Sequence, residues 1–520
     1  MENPVGVLDF ETDPFVYGRV PYPFAACILT DAGRLIFWEP KVIKSIVQFL
    51  KTMPPHTLFA HNGGKFDFHF LIECANPQKI LIRNGRIVQM KIGNVTLKDS
   101  YPLIPFALEK YKKTKINYEI FEKERRNIPR NRKKITDYLI DDCENLLELV
   151  TGFKKIVGHK DTIGAAAFNQ MKKMGIKILR LNEAHDTLFR PYFFGGRVQA
   201  FQHGIFKGPL QYVDINSAYS YAMTFDHPSG KNYIARKKLP IMRLLGPQFI
   251  HCIADSNGAL PQRTKTGLDF PIINEGEFYA TGWEIKSGLE TKTIVIKKII
   301  NVWEPVNRIS LNIFVNKFFK LRDQARKNGD EVSRLAYKNL LNSGYGKFAQ
   351  NPRNFREYRL QEFGVDVPGF EHESDFGAIS IWSKSSYDGT GFYDVATAAS
   401  ITGFVRAYLW RSICASKNVL YADTDSMLCR AAKVHIGEKL GQWKDEGKII
   451  CAAIAGKKLF ALKWKRPKNG EKYRIASKGA RLTFREICKL CEGKKITWRN
   501  PAPTFSIKGT EFIERIIRKT

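Results

Sequence analysis

The sequence predicts a multidomain protein that combines the α/β and α+β fold classes. Its 520 residues are enough for two to four structural units with separate cores. Near the start of the chain, strand-like runs alternate with helical stretches, which is typical of an α/β unit. The strand-like runs are 5–10, 25–30 and 34–38, and the helical stretches include 41–51 and 136–156. An apolar strand at 212–215 and an extended hairpin at 419–427 lie far beyond this unit and indicate at least one more.

The first unit carries a group of acids. Asp9 and Glu11 alternate on an apolar strand, Asp67 follows a turn-rich segment, and Tyr138 and Asp142 lie four residues apart on a predicted helix. Four carboxylates, together with a phenol that helps to place a water molecule, are what two-metal phosphodiester hydrolysis requires. For an acid pair on a strand taken alone, a surface pair is the alternative interpretation.

A second group of acids lies further along the chain. Asp214 ends the apolar strand 212–215, and Asp423 and Asp425 lie two residues apart in the hairpin. In an extended hairpin this spacing places both side chains on one face, where a bound cation would offset their repulsion. A hairpin whose acids face water is the alternative for an isolated pair. The three acids together predict a metal site.

A stripe of polar residues lies between these acids. On a helix, Arg334, Lys338, Asn342 and Tyr345 share one face. Two cations, an amide and a phenol suit a polyphosphate with a sugar and base attached better than they suit a core. A solvated charge is the alternative for a single lysine. With the three acids, the stripe favours nucleotidyl transfer, in which two Mg²⁺ ions activate a hydroxyl and neutralise the leaving pyrophosphate.

These segments resemble motifs A (DxxSLYP), B (KxxxNSxYG) and C (YxDTDS) of family B DNA polymerases, in that order. Ala218 stands where the family usually has Leu, and Ser220 where it usually has Pro. The acids of the first unit resemble the three Exo motifs of DEDDy 3′–5′ proofreading exonucleases, and that pattern selects Asp142 over Asp141. The resemblance implies an RNase H-like exonuclease domain followed by a right-hand polymerase with palm, fingers and thumb.

Two more segments resemble DNA-contacting motifs of the family. At 192–198, the adjacent Gly195 and Gly196 allow close backbone approach and match the YxGG/A motif, with Phe193 in the tyrosine position. A plain turn is the alternative. At 456–462, Lys458 and Phe460 resemble the KxY motif on a predicted basic strand, again with Phe in place of Tyr. An ordinary surface strand is the alternative there.

The resemblance implies a role for each of these residues. Asp423 assists catalysis, and Tyr219 lies under the incoming sugar and excludes a 2′-hydroxyl. The implied metal ligands are Asp9, Glu11, Asp67, Asp142, Asp214, Ile215 and Asp425. The implied nucleotide-binding residues are Ile215, Tyr219, Arg334, Lys338, Asn342 and Tyr345. The implied DNA-binding residues are Asn62, Phe66, Phe193, Gly195, Gly196, Thr424, Lys458 and Phe460.

Extra sequence between the motifs indicates a branch of the family. Segments 355–360 and 378–383 flank the turn-rich 364–369 and predict a β-hairpin insertion between motifs B and C. A further insertion separates motifs A and B. Both positions resemble terminal-protein regions 1 and 2 of the protein-primed branch, typified by small phages and plasmids with linear genomes. In that branch, region 2 encircles the template and gives processivity and strand displacement.

Composition agrees with a nucleic-acid partner. The chain has 83 Lys and Arg against 51 Asp and Glu, a formal charge of +32, which favours a polyanion. The basic run 123–134 predicts a loop that contacts single-stranded DNA, with a solvated charge run as the alternative. No apolar run approaches the roughly 20 residues that cross a bilayer, and no signal-peptide pattern opens the chain. Nine cysteines fit reduced thiols, and Cys488 and Cys491 are interpreted as two thiols on a helix turn rather than a metal site.

The sequence therefore predicts a cytoplasmic, monomeric DNA polymerase with a proofreading exonuclease and no membrane partner. Its expected cofactor is Mg²⁺, which Mn²⁺ could replace, and its expected partners are template-primer DNA, dNTPs and a terminal-protein primer. The alternatives are an exonuclease with a non-polymerising DNA platform, a nucleic-acid-primed family B polymerase, and a structural DNA-coating protein. The predicted domains are an exonuclease (1–155), palm (156–225 and 393–482), terminal-protein region 1 (226–313), fingers (314–349), terminal-protein region 2 (350–392) and thumb (483–520).

Overall fold

The structure is a computed structural model that describes residues 3–179, 181–265, 267–385, 392–468 and 470–519. The outermost residues of the predicted first and last domains, Met1, Glu2 and Thr520, lie outside these ranges. The end of the predicted region 2, 386–391, also lies outside them.

The N-terminal unit is built on a seven-stranded mixed sheet. Its elements are β1 (Val5–Thr12), β2 (Pro23–Thr30), β3 (Gly33–Trp38), α1 (Val42–Thr52), β4 (Thr57–Ala60), β5 (Leu81–Arg83), β6 (Arg86–Ile92), β7 (Val95–Asp99), α2 (Lys123–Arg126) and α3 (Pro129–Val157). The strand order is β3-β2-β1-β4-β7-β6-β5, and β1 pairs antiparallel with β2 and parallel with β4. The predicted strands and both predicted helices are confirmed.

Helix α3 packs against β1 and β2 and covers one face of the sheet. It begins at Pro129, where the missing N–H is not needed, and ends before Gly158, whose φ of 70° suits glycine. The predicted loop at 123–134 is wrong, because α2 and the first six residues of α3 occupy most of this segment. The proline that suggested a loop is instead the first residue of a helix.

A connecting segment leads into the second large sheet. It contains α4 (Ile163–Lys173), α5 (Glu183–Phe189), β8 (Arg197–Ala200), β9 (Gly204–Ile215) and the short α6 (Ala218–Ala222). Helix α5 has Asn182 as its N-cap, and the Asn182 side chain accepts a hydrogen bond from the His185 N–H. Strand β9 confirms the apolar strand predicted at 212–215.

The chain then forms an insertion with its own four-stranded sheet. The elements are β10 (Asp226–Pro228), β11 (Tyr233–Arg236), β12 (Phe249–Asn257), β13 (Gln262–Thr264), β14 (Gly267–Asp269), β15 (Ile272–Thr281), α7 (Gly282–Glu290), β16 (Ile294–Pro305) and β17 (Arg308–Ser310). The sheet order is β11-β16-β12-β15. A capping box of Thr281 and Glu284 starts α7 directly after β15.

A helical hairpin and a small sheet follow. The helices are α8 (Asn312–Lys327) and α9 (Glu331–Phe348), and the strands are β18 (Arg356–Glu362), β19 (Glu371–Phe376) and β20 (Ile379–Ser385). Helix α9 confirms the helix predicted for the polar stripe. The predicted two-stranded hairpin is corrected to three strands in the order β18-β20-β19. Strand β19 lies at the edge of this sheet, and its run of charged residues hid it from a search for apolar alternation.

The second seven-stranded sheet joins distant parts of the chain. Helix α10 (Val395–Ala415) is followed by β21 (Lys417–Thr424), β22 (Ser426–Ala431), β23 (Trp443–Gly456), β24 (Leu459–Lys468) and β25 (Glu471–Ser477). The strand order is β25-β24-β23-β9-β22-β21-β8. Helix α10 is buried along most of its length and lies behind the sheet. The central strand β9 thus pairs on both sides with strands that come far later in sequence.

The C-terminal segment combines one helix with four short strands. It contains α11 (Phe484–Cys491), β26 (Ile496–Arg499), β27 (Thr504–Ser506), β28 (Gly509–Glu511) and β29 (Glu514–Ile517). Cys488 and Cys491 lie on α11, as predicted, and are free thiols. The Phe505 ring contacts the Phe66 ring of the first unit, and Ile507 joins the apolar core of that unit. Among the helices in the described part of the chain, none is long and apolar enough to cross a bilayer.

Candidate active sites

The acids of the N-terminal unit converge where β1 meets α3. Asp9 and Glu11 lie on β1, and Asp142 lies on α3. One ligand atom from each of the three lies within 4.8 Å of the other two. Because β1 is central in its sheet and α3 packs on it, the three carboxylates are held by two rigid elements. Asp67, in a short 3₁₀ helix, is outside this group of three, although its charge acts on Asp9.

Burial dominates the electrostatics of this site. It raises the pKa of Asp9 well above the usual range, and the Asp67 charge raises it further. Burial and then the Asp142 charge raise the pKa of Glu11 to about 8. Burial also raises the pKa of Asp67 to about 7. One oxygen each of Asp67 and Asp142 is buried without a partner among the described residues. Crowded, unsatisfied carboxylate oxygens are the ligand set that a hard divalent cation prefers.

A lysine and a second tyrosine complete the site, and the sequence did not single them out. The Lys113 Nζ atom is 3.6 Å from Asp142 Oδ2 and lies over the Tyr138 ring. The Tyr138 and Tyr118 hydroxyl oxygens are 3.1 Å apart. Burial and then this contact with Tyr118 raise the pKa of Tyr138, so its phenol stays protonated. Lys113 lies in a lysine-rich run that looks like solvated surface, and only its contacts reveal it.

The two predicted DNA-binding residues of this unit lie next to Asp67. Asn62 adopts a left-handed φ of 60°, and its side-chain oxygen accepts a hydrogen bond from Arg86 Nη1 at 2.8 Å. The Phe66 ring makes edge-to-face contacts with the rings of Phe15 and Phe505. Phe66 is therefore shared between the first unit and the C-terminal segment.

The acids of the second sheet lie where β9 and the β21–β22 hairpin end together. Asp214 pairs with Ser426 across the sheet, and Asp423 is the last residue but one of β21. The chain reverses at Thr424, whose φ is 62°, and the Asp425 N–H donates to the Asp423 carbonyl at 2.7 Å. The expectation that Asp423 and Asp425 share one extended face is thus wrong in detail, because Asp425 lies in the turn itself. The Ile215 N–H donates to the Asp425 carbonyl at 2.8 Å, which joins β9 to this turn.

These three acids are not equivalent. Burial and then the Asp425 charge raise the pKa of Asp214 to about 7. Burial and then the Asp423 charge raise the pKa of Asp425 to about 6. Asp423 differs, because its Oδ1 atom accepts hydrogen bonds from Lys458 Nζ at 2.7 Å and from the Thr424 hydroxyl at 3.0 Å. Asp214 and Asp425 are therefore the two acids that lack a balancing charge.

Cations from the helical hairpin α8–α9 line a cavity beside these acids. The cavity has a volume of about 460 Å³. Burial and then the nearby Arg334 and Arg322 charges lower the pKa of Lys338, so the cations repel one another until an anion enters. An adjoining cavity contains Asp214, Arg322 and Arg326 and links the cations to the acid. The residues lining the larger cavity are Phe319, Arg322, Asp323, Arg326, Lys327, Arg334, Lys338, Glu438 and Lys439.

Sequence reasoning missed the contribution of α8. Arg322 Nη1 donates to the Ser217 hydroxyl at 3.0 Å, which fixes its guanidinium beside the turn after Asp214. Arg334, which was predicted, is itself in an ion pair with Glu331. Arg322 lies 12 positions before Arg334, so its membership in the same cluster depends on the antiparallel packing of α8 on α9. No local pattern encodes that packing.

Tyr219 and Tyr345 stack on each other at the edge of the site. Their ring centres are 4.1 Å apart and the rings are nearly parallel. A side chain at Gly196 would place its Cβ 2.7 Å from Thr424 Cγ2 and 2.9 Å from the Tyr219 hydroxyl, so only glycine fits there. Gly195 has open space around it, and Asn342 is exposed on α9. Gly196 thus lies against both the acid hairpin and the tyrosine stack.

The predicted KxY-like strand needs a correction. Lys458 lies in the turn between β23 and β24, with a φ of 52°, and not on a strand. Phe460 is 2% exposed, and its ring packs 4.7 Å from the Tyr421 ring. The prediction that the Phe460 side chain binds DNA is therefore wrong, because the side chain faces the core of the sheet. Phe193 is half-buried, and its carbonyl accepts a hydrogen bond from Arg263 Nη2.

Comparison with known proteins gives one consistent relationship. A family described as "DNA polymerase type B, organellar and viral" matches residues 105–367. The chain is 34% identical to the DNA-directed DNA polymerase of Enterobacteria phage PRD1, over 100% of this chain and 99% of that protein. A DNA polymerase of Kluyveromyces lactis is 24% identical over 78% of this chain and 50% of that protein.

Solved structures show the same fold. Phi29 DNA polymerase in an orthorhombic crystal form matches with a TM-score of 0.72 at 16% identity, and 100% of each chain is covered. Phi29 DNA polymerase complexed with primer-template DNA and incoming nucleotide substrates matches equally well, with a TM-score of 0.72 and 16% identity over 100% of each chain. The two-sheet architecture is therefore an established one.

Acids on two separate sheets, with one group beside a cationic helical hairpin, are the arrangement expected of a nucleotidyl-transferring enzyme. The chain belongs to the type B DNA polymerase family, in its organellar and viral, protein-primed branch. Its activity is that of a DNA-directed DNA polymerase, which confirms the function predicted from the motifs. Polymerases of this family use divalent metal ions, and the carboxylate cluster of the first unit has the donor chemistry for them.

Proposed function

We propose that Asp214 and Asp425, with the Ile215 backbone, form the polymerisation centre. Mg²⁺, or Mn²⁺ in its place, when bound there would lower the pKa of the primer 3′ hydroxyl and neutralise charge on the leaving pyrophosphate. Arg322, Arg334 and the α9 residue Lys338 hold the triphosphate, since guanidinium and ammonium groups bind phosphate oxygens well. Asp423 assists by holding Lys458 at the edge of the site.

Nucleotide selection depends on the aromatic stack and on its neighbours. Tyr219, supported by Tyr345, forms the floor below the sugar and excludes a 2′-hydroxyl by steric clash. Asn342, on the face of α9 that carries Lys338, helps to shape the pocket for the sugar and base. Because Gly196 touches both Tyr219 and Thr424, the glycine turn with Gly195 and Phe193 aligns the template against the same floor.

We also propose a proofreading centre in the first unit. Asp9, Glu11, Asp67 and Asp142 hold the metal ions, and the protonated Tyr138 orients the attacking water. Asn62 and Phe66 bind the single-stranded 3′ end as it enters. The observation that carries this proposal is the convergence of three carboxylates, half-buried or buried, with raised pKa values and one unpaired oxygen on Asp142.

The partners follow from the same chemistry. The phi29 relative has been crystallised with primer-template DNA and nucleotides, and the formal charge of +32 here suits the same ligands. We propose that the enzyme acts as a cytoplasmic monomer, that a terminal-protein hydroxyl primes synthesis, and that the insertion at 226–313 receives this primer. The three-stranded sheet β18–β20 would close over the template and support strand displacement.

Separating the two activities tests the two-centre proposal. Asp425→Ala should reduce primer extension with Mg²⁺ and dNTPs about a thousandfold or more, since metal stabilisation contributes several kcal/mol, and should leave 3′–5′ degradation intact. The double variant Asp9→Ala with Glu11→Ala should show the reverse. Glu144→Ala, an exposed acid on α3, is the matched control. Loss of both activities in both variants, with unchanged circular dichroism, would refute two independent centres.

Priming needs its own experiment. The polymerase is incubated with a radiolabelled dNTP and the terminal protein encoded with it, in the absence of any nucleic-acid primer. A covalent dNMP–protein product that disappears with Asp425→Ala supports the proposal. Extension of DNA primers with no such product would assign nucleic-acid priming instead.

A further inference from the structure

An arginine outside the triphosphate cavity reaches the sheet face that carries the acids. Arg474 lies on β25, at one edge of the second sheet, and its Cζ atom is 4.7 Å from the centre of the Tyr212 ring on β9. Strands β24 and β23 separate β25 from β9, so the side chain extends across the face of the sheet. Tyr212 precedes Asp214 by two residues on one strand, and alternation places their side chains on the same face. Arg474 therefore lies beside the polymerisation acids.

Three lysines near these acids already have acidic partners. Lys444 and Lys468 both pair with Glu446, and Lys458 pairs with Asp423. Arg474 is exposed. Among the residues that the structure describes, no carboxylate forms an ion pair with it. Its charge still reaches the site, because it opposes the effect of burial on the pKa of Asp214. Arg474 is thus a cation close to the acids, and its anionic partner is expected to be a ligand.

Tyr212 gives this cation a fixed platform. The Tyr212 hydroxyl donates to the Ser426 hydroxyl at 2.9 Å, and the Ser426 hydroxyl donates to the Asp423 carbonyl at 3.0 Å. Tyr212 is 1% exposed. A planar guanidinium stacked on an aromatic ring loses little freedom when it binds a ligand, and its donors match the oxygens of a phosphate.

We propose that Arg474 binds a phosphate of the primer strand close to its 3′ end. This rests on the proposed polymerisation centre. The cations of α8 and α9 line the cavity assigned to the triphosphate, and Arg474 is not among its lining residues. The primer 3′ hydroxyl has to reach the same acids, so the last phosphates of that strand pass over the sheet face where Arg474 is available.

Salt dependence of DNA binding measures this contact directly. Each phosphate contact adds about 0.9 to the slope of log K against log salt concentration for duplex DNA. In an Asp9→Ala, Glu11→Ala background and without divalent metal, we expect Arg474→Gln to lower that slope by about one unit for primer-template DNA. When NaCl rises from 50 to 200 mM, the affinity of Arg474→Gln for this DNA should therefore fall by a factor about three times smaller than the factor for the parent. Arg474→Lys should keep the slope, because it keeps the charge.

Two comparisons separate this role from others. Lys44→Gln removes an exposed cation from α1 of the first unit and should leave the slope unchanged. An unprimed single-stranded template should bind Arg474→Gln and the parent with equal slopes. An unchanged slope for Arg474→Gln on primed DNA would overturn the proposal. In that case, a lower melting temperature of the variant would indicate that Arg474 stabilises the fold by packing on Tyr212. A shifted pH profile of kcat would indicate instead that Arg474 acts on the acids. DNA binding in the absence of metal involves no catalytic step, so an unchanged salt slope would refute only the role of Arg474. The polymerisation centre would be refuted by a different result, namely primer extension that continues in Asp425→Ala.

Discussion

The two groups of acids balance their charge in opposite ways. In the first unit, ligand atoms of three carboxylates lie within 4.8 Å of one another, and Lys113 forms an ion pair with one of them, Asp142. In the second sheet, Asp214 and Asp425 are the two acids without a balancing charge, and a cavity rich in arginine and lysine lies beside them. The first site is short of positive charge, and the second has an excess of it nearby.

This difference matches the substrates of the two proposed reactions. A DNA strand at the hydrolytic site brings one phosphate charge for each nucleotide, so the carboxylates themselves must gather the metal ions. A triphosphate brings several charges with its own metal ion, and needs protein cations to hold it. Two active sites with the same metal chemistry are therefore expected to fail in different ways when their charges are altered.

The largest expected effect comes from removing cations beside the polymerisation acids. Combining Arg322→Ala with Lys338→Ala should raise the KM for dNTPs at least 10- to 100-fold, because each charged hydrogen bond contributes about 1.5–3 kcal/mol. Exonuclease rates should not change. Steady-state kinetics on a primed template measures both, and Lys320→Ala, on α8 but outside the cavity lining, is the matched control. A fall in kcat at unchanged KM would show that these cations do not hold the nucleotide.

The next effect concerns the stacked pair Tyr219 and Tyr345. The two tyrosines of the hydrolytic site, Tyr118 and Tyr138, meet edge to face instead. Tyr219→Val removes the ring below the sugar and should reduce discrimination between dNTPs and rNTPs about 10- to 100-fold. Tyr219→Phe keeps the ring and should keep the discrimination, since a clash and not a hydrogen bond excludes the 2′-hydroxyl. The ratio of kcat/KM values for dATP and rATP decides this. Equal losses in both variants would favour a role for the hydroxyl.

pH should separate the two sites by a smaller factor. Protons compete with metal ions for carboxylates, so affinity falls as pH drops below the raised pKa values. These are about 8 for Glu11 and about 7 for Asp67, against about 7 for Asp214 and about 6 for Asp425. Lowering the pH from 8 to 6 should therefore raise the Mg²⁺ concentration needed for half-maximal activity at both sites. The factor of increase should be about ten times larger for the exonuclease than for polymerisation. Parallel metal dependence at both sites would contradict the assignment.

The smallest effect is on stability. The folded-state pKa of Glu11 is raised to about 8, so the unfolded state loses this proton more readily than the folded state. Stability is therefore lost as the pH rises from the unfolded value to about 8. In a chelating buffer at pH 8, Glu11→Gln should therefore raise the melting temperature, by about 2–4 °C for each kcal/mol recovered. Glu144→Gln, an exposed acid on α3, should not. Calorimetry of both variants checks this, and a lower melting temperature for Glu11→Gln would mean that its carboxylate is already balanced.

The sequence was informative wherever the function depends on local spacing. The alternation of Asp9 with Glu11, the helical interval from Tyr138 to Asp142, and the stripe on α9 are all short-range patterns, and each predicted element was found. Lys113, Arg322 and Arg474 were not predicted, because their neighbours come from elements far away in the chain. Phe460 was misassigned for the same reason: a strand residue beside a lysine can face either side of its sheet, and only the packing against Tyr421 decides.

The position of β9 at the centre of its sheet also affects how the protein is made. Strand β9 ends at Ile215, but its partner β23 ends at Gly456. At about 5–20 residues per second of synthesis, the roughly 240 residues between them take about 10–50 s to emerge from the ribosome. For most of that time the nascent β9 has neither neighbour, because β22 begins only at Ser426, while the sheet and α3 of the first unit are already complete. The exonuclease-like unit can fold early, whereas the polymerisation centre forms only near the end of translation, and chaperones would be needed most in the interval.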